Sequence, residues 1–102
     1  MKEVKAYIHV NRAADVVRAL KKSGYTSLMV VDVKGTFEAL DAGEQEYSTE
    51  LGAQVITETK IELVCETSQL ADVIELIKNN GKTGRERSGA IYVSDINAYH
   101  QF

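Results

Sequence analysis

Between Lys82 and Ile96 the chain reads KTGRERSGAIYVSDI. Lys82, Arg85 and Arg87 place three cations close together, and Gly84 and Gly89 leave the backbone around them free to bend. Such a set can hold an anion, with guanidinium and ammonium groups and loop amides all donating to it. It is not a P-loop, because no Gly-Lys-Ser/Thr follows at the required spacing. The same residues also suit a solvated basic turn. Elsewhere, no nucleophile stands with a base in any legible constellation, so no catalytic residue is assigned. With no His-x-x-x-His or Cys-x-x-Cys pair, a metal site preformed within one chain is not expected.

The chain has 102 residues, the size of one domain with a real but modest core. Its hydrophobic share of 44% and charged share of 26% are those of an ordinary globular protein. A net charge of −3 gives no electrostatic case for nucleic acid or an anionic membrane. The five tyrosines and two phenylalanines are not interleaved with basic residues as a nucleic-acid stacking surface requires. No apolar run approaches the roughly 20 residues of a membrane span, and MKEVKAYIHV is too broken by charge for a signal peptide. One cysteine, Cys65, excludes an internal disulfide and suits a reducing cytoplasm. Its place in an alternating strand makes it a buried structural residue. His9 and His100 read as polar surface residues, the second near a chain end.

The elements that must position the basic loop come in two similar halves. ADVVRALKKSG (14–24) and ADVIELIKNNG (71–81) are near copies, each preceded and followed by an apolar strand-like run. Asn11, and Ser68 or Thr67, are the expected N-caps. Ala13, Val16, Val17 and Leu20 share one helix face, as do Leu70, Val73, Ile74 and Ile77. Gly24 and Gly81 are expected just past the helix ends. Around Lys60, alternation sends Ile61, Leu63 and Cys65 to one side and Glu62 and Val64 to the other. LMVVDV reads as a largely buried strand. Two β-α-β units predict an α+β, ferredoxin-like sandwich: a four-stranded antiparallel sheet with both helices on one face. The opposite sheet face would carry Val31, Val64 and Tyr92 and would need cover from another subunit.

One connection is too long for a small domain. Residues 36–54, between the second and third strands of this scheme, carry Glu38, Asp41, Glu44, Glu46 and Glu50 and no lysine or arginine. Connections of that length are commonly functional or mobile. The segment fits either a solvated acidic loop or an arm that docks on a partner.

Together these features resemble the PII signal-transduction family. The resemblance rests on the doubled β-α-β pattern, on VKG (33–35) leading into the long loop, on KIELV (60–64), and on TGRERSGAIYVSDI. It spans nearly the whole chain, so residues 1–102 read as a single PII-like domain. What it implies is a cytoplasmic homotrimer without catalysis, holding an adenine nucleotide in clefts between subunits. Residues 82–90 would be the B-loop around the phosphates. Gly35, Glu62, Val64, Thr83, Gly84, Arg85, Arg87, Ser88 and Gly89 would bind the nucleotide. Residues 36–54 would be the T-loop, docking a membrane transporter or enzyme complex through Glu38, Asp41, Glu44, Glu46, Tyr47 and Glu50.

Departures from the family pattern refine this. Relatives that bind ATP with 2-oxoglutarate carry glutamine and lysine where this chain has Ala39 and Glu58, and an arginine where it has Glu38. The B-loop's middle glycine is Arg87, its aspartate is Ser88 and its last basic residue is Ala90, and the chain ends NAYHQF without the usual arginines. Carboxylates near a triphosphate repel it, more so where water is excluded. The expected effector is therefore ADP or AMP rather than MgATP with 2-oxoglutarate, and bicarbonate is a candidate co-ligand. The alternatives are a metal-responsive protein similar to CutA or to efflux-associated PII-like proteins, and a trimeric scaffold without a ligand.

Overall fold

The computed structural model describes residues 1–36, 45–85 and 87–102. In chain order the elements are strand β1 (Lys2–His9), helix α1 (Val10–Lys22), strands β2 (Met29–Gly35), β3 (Glu46–Ser48) and β4 (Ala53–Cys65), helix α2 (Leu70–Gly81) and strand β5 (Gly89–Asp95). The sheet is antiparallel in the order β2-β4-β1-β5, with β3 paired to the first residues of β4. The α+β ferredoxin-like architecture is the one the two halves predict.

Alternation along β1 and β4 builds the core. Val4, Ala6 and Ile8 of β1 and Ile61, Leu63 and Cys65 of β4 are buried on one sheet face. Val16 and Leu20 of α1 and Val73 and Ile77 of α2 pack onto them, with Ala13, Val17 and Leu70 at the margin. The α1 face read from the sequence is therefore the face that packs, whereas on α2 Leu76 takes the place expected for Ile74 beside Leu70, Val73 and Ile77.

Four local expectations are corrected. First, His9 and not Asn11 caps α1, its Nδ1 accepting from the Asn11 N–H at 3.1 Å. Second, Ser68 and Thr67 lie in a 3-10 turn (Thr67–Gln69), whose capping box is made by Glu66 and Gln69. Third, Gly81 is the last residue of α2, facing Ile8 and Val16, whereas Gly24 does follow α1 with φ +96°. Fourth, β2 is not buried: Met29, Val30 and Val31 are 65%, 50% and 46% exposed. Met29 and Val31, paired with Glu62 and Lys60, lie on the outer sheet face, which no helix covers. Val30 pairs with buried Ile61 and so shares the core face, yet the helices cover the two central strands and leave the edge open.

The segment 36–54 also differs from a plain loop. Its second half turns back as the hairpin β3–β4, adding a fifth strand to the four expected. Gly52, at φ +62°, donates its N–H to the Ser48 carbonyl at 2.8 Å, and Ser48 Oγ accepts from the Leu51 N–H at 3.3 Å. Positive φ is why glycine suits that turn. Glu38, Asp41 and Glu44 lie outside the described residues.

Candidate functional site: a basic loop and its cleft

The loop starts where α2 runs out. Lys82 leaves the helix with extended backbone, its N–H still donating to the Lys78 carbonyl at 3.2 Å. Thr83 and Ser88 then close the loop at its base. Ser88 Oγ accepts from the Thr83 N–H at 2.9 Å and lies 3.2 Å from Thr83 Oγ1. Thr83 Oγ1 in turn lies 3.4 Å from the Arg85 N–H, which donates to it. Gly84, at φ +80°, supplies the reversal between them. The hydroxyls thus hold the loop, on which Arg85 and Arg87 are exposed.

Beside the loop is an open cleft of about 470 Å³. Ile8, Ile77, Gly81 and Ile91 give it an apolar wall, and Lys78, Lys82, Arg87 and Ser88 give it a cationic and hydroxylic one. At Gly89, where β5 begins opposite Ile8, a Cβ would collide with the Tyr7 carbonyl oxygen. Glycine is therefore required for the loop to enter the sheet this closely. The cleft can accept a ligand with an apolar body and an anionic end. Ala90, the position without a basic side chain, also lines it.

Of the residues expected to bind a nucleotide, Thr83, Gly84, Arg85, Arg87, Ser88 and Gly89 are neighbours around this loop. Gly35, Glu62 and Val64 are not with them. Gly35 ends β2 opposite Ile56, and β2 and β5 are opposite edges of the sheet, separated by β4 and β1. Three strand spacings put those edges about 14 Å apart. Glu62 and Val64 line a second cleft, of about 350 Å³, with Glu3, Met29 and Tyr99. Glu62 also pairs with Lys60 at 3.0 Å.

Of the described acidic-loop residues, Glu46 sits in β3 and accepts from Thr57 Oγ1 at 3.1 Å. Tyr47 is 61% exposed and Glu50 lies in the exposed turn. Glu58, read as a carboxylate near the phosphates, is buried at the β4 position opposite His9 and Val33. Cys65 is buried, and burial followed by the charge of Glu66 pushes its thiol pKa up, away from reactivity. Sequence reasoning had no signal for the Thr83–Ser88 clamp as a pair, since the contact depends on the path of the loop.

The outer sheet face, away from the helices, completes the picture. Val31, Val64 and Tyr92 are exposed there, and Tyr92 packs against Tyr7 with ring centroids 5.4 Å apart. Among the described residues, no helix is long and apolar enough to cross a membrane, and no three His, Cys, Asp or Glu side chains group as metal ligands.

Comparison with known proteins agrees with this architecture. The family model described as "Nitrogen regulatory protein P-II" matches residues 1–101. The chain is 32% identical to a nitrogen regulatory protein P-II of Rhizobium meliloti, with 94% of this chain and 86% of the relative covered. It is 29% identical to one of Porphyra purpurea, at the same coverage. It is 27% identical to nitrogen regulatory protein P-II 1 of Methanothermobacter thermautotrophicus, over 94% of this chain and 84% of the relative. The doubled β-α-β sheet, the loop that returns into β5 and a match over nearly its whole length place this chain in the P-II family of regulatory proteins.

Proposed function

We propose that residues 1–102 act as one non-catalytic regulatory module. In this reading it works as a cytoplasmic homotrimer whose adenine-nucleotide sites lie between subunits. The observation that carries this reading is the division of the expected site. The anion-holding loop stands at the β5 edge, and Gly35, Glu62 and Val64 stand at β2 and on the outer face of β4. Within one chain the two halves stand on different strands and faces, and a second copy packed on the outer face would bring one chain's basic loop toward another's Gly35, Glu62 and Val64. Exposed Val31, Val64 and Tyr92 supply apolar surface for that packing.

The ligand is ADP or AMP. Lys82, Arg85 and Arg87 suit one or two phosphates, while Ala90, Ala39 and Glu38 remove groups that would hold a triphosphate with an oxoacid. Bicarbonate is the proposed co-ligand, and the acidic segment 36–54 carries the signal to a transporter or enzyme complex. Calorimetric titration with ADP at low and physiological salt tests the reading. Saturable binding near one ADP per chain, weakened by Arg85→Ala, is the expected result. No heat at millimolar ADP would remove the nucleotide role.

A further inference from the structure

On the helical side of the molecule, Arg12, Asp15, Arg18 and Lys22 recur along α1 at intervals of three or four residues, which puts them on one exposed stripe. With Asn79, Asn80 and Lys82 from the end of α2 they line an open groove of about 360 Å³. Four cations there face one carboxylate. Asp15 Oδ1 accepts from Arg18 Nη1 at 3.1 Å, and its Oδ2 lies 3.9 Å from Arg12 Nη1. Among the described residues, Lys22 and Lys82 have no ion pair, whereas the sheet lysines Lys2, Lys5 and Lys60 each have one. The groove is thus locally positive on a chain whose net charge is −3.

Its shape and charge spacing select among anions. From Arg12 to Lys22 the stripe is about 15 Å long at 1.5 Å per residue, longer than a small phosphate ester needs. Asp15 in its middle repels a densely charged polyanion. A polypeptide can space its carboxylates over the cations and set a neutral or basic residue over Asp15. Exposed charge pairs are individually weak, so useful binding needs several of them on one partner. We propose that the groove between α1 and the end of α2 is a docking surface for an acidic polypeptide segment of a partner protein, with carboxylates meeting Arg12, Arg18 and Lys22 and a neutral or basic residue over Asp15. The groove adjoins the basic-loop cleft and shares Asn79 and Lys82 with it, but Arg12, Arg18 and Lys22, which meet the carboxylates, line the groove alone, so the proposal holds whether or not a nucleotide binds at the loop.

The test is fluorescence anisotropy with a labelled synthetic helix of about fourteen residues, carrying glutamates at three- and four-residue intervals and one lysine at its middle. Saturable, salt-sensitive binding is expected. The double variant Arg18→Glu, Lys22→Glu should weaken it about ten-fold, and Lys34→Glu, a reversal on β2 outside the groove, should change it less than about two-fold. Asp15→Lys should also weaken it, and a peptide with glutamate in place of the central lysine should restore binding to that variant. Circular dichroism establishes that each variant is folded. Binding that ignores the position of the central lysine, or that survives the double reversal, overturns the proposal. So does tighter binding of tripolyphosphate to the groove than of the peptide. Salt-sensitive self-association abolished by the double reversal would make a second copy the occupant and overturn it as well.

Discussion

Ser88 and Thr83 hold the basic loop shut at its base: the Ser88 hydroxyl accepts from the Thr83 amide at 2.9 Å and meets the Thr83 hydroxyl at 3.2 Å. In the proposed nucleotide role, a loop already closed by this clamp leaves less ordering for binding to do. Ser88→Ala should therefore weaken ADP about three- to ten-fold, the equivalent of one net hydrogen bond. Titration calorimetry reads the affinity and thermal unfolding reads the fold, which should be little changed because the loop is surface structure. Unaltered affinity would mean the clamp does not organise the site.

Gly89 is a structural requirement of the β1–β5 ladder. A methyl group there meets the backbone oxygen of Tyr7, which cannot move without disturbing the β1–β5 ladder. Gly89→Ala should cost about 1–3 kcal/mol, the range of overpacking in a tight site. The midpoint of urea unfolding measures it. A variant as stable as the parent would show that β5 can enter the sheet by another path.

The outer sheet face tests the assembly. Val31 and Tyr92 face away from the helices on β2 and β5. Replacing both by lysine adds charge to that face and leaves the core side untouched. Light scattering after size exclusion should show the mass falling from trimer to monomer, with ADP binding lost alongside. A monomeric parent, or a variant that keeps its mass, counts against the trimer.

Alkaline pH should erode stability through two groups. The Tyr25 hydroxyl donates to Asp72 Oδ2 at 2.8 Å, and that bond, followed by burial, raises the tyrosine pKa. Burial and then the charge of Glu66 raise that of Cys65. Both keep their protons longer in the folded chain than in the unfolded one. Their contribution is complete below the unfolded values, about 8.5 for cysteine and 10 for tyrosine, and is lost as pH rises past them. Urea midpoints should fall progressively above about pH 8.5, and Tyr25→Phe should flatten the upper part of that fall. At the acid end, Asp95, whose pKa Lys2 lowers by hydrogen bond and charge, acts in the opposite sense. Its contribution is present above the unfolded carboxylate value and fades as pH falls through the lowered one.

The basic loop shows how far local pattern reaches. Lys82, Gly84, Arg85, Arg87 and Gly89 were legible as one basic, glycine-bent loop because cations and glycines at close spacing carry their chemistry with them. Their joining by Thr83 and Ser88 was not, because it depends on where the chain returns. Likewise the apolar stripes of α1 and α2 and the inward set Ile61, Leu63 and Cys65 followed from periods of 3.6 and 2. His9 as the cap of α1 did not, since its imidazole is an uncommon substitute for the usual hydroxyl, amide or carboxylate acceptor.

By itself, then, the amino-acid sequence determined the doubled β-α-β order, the helix faces and the central strand's inward residues, all of which depend on periodicity within one element. Tertiary structure alone decided which strands became edges. LMVVDV has the composition of a buried strand, yet β2 stands exposed because Met29 and Val31 fall on the face away from the helices and Val30 lies at an edge that the helices leave open. The same ordering put Gly35 and the basic loop at opposite edges, and the antiparallel packing of the two halves brought Lys82 beside the cations of α1. Each of these is a relation between distant segments, set by how the layers pack together, and no local pattern encodes it.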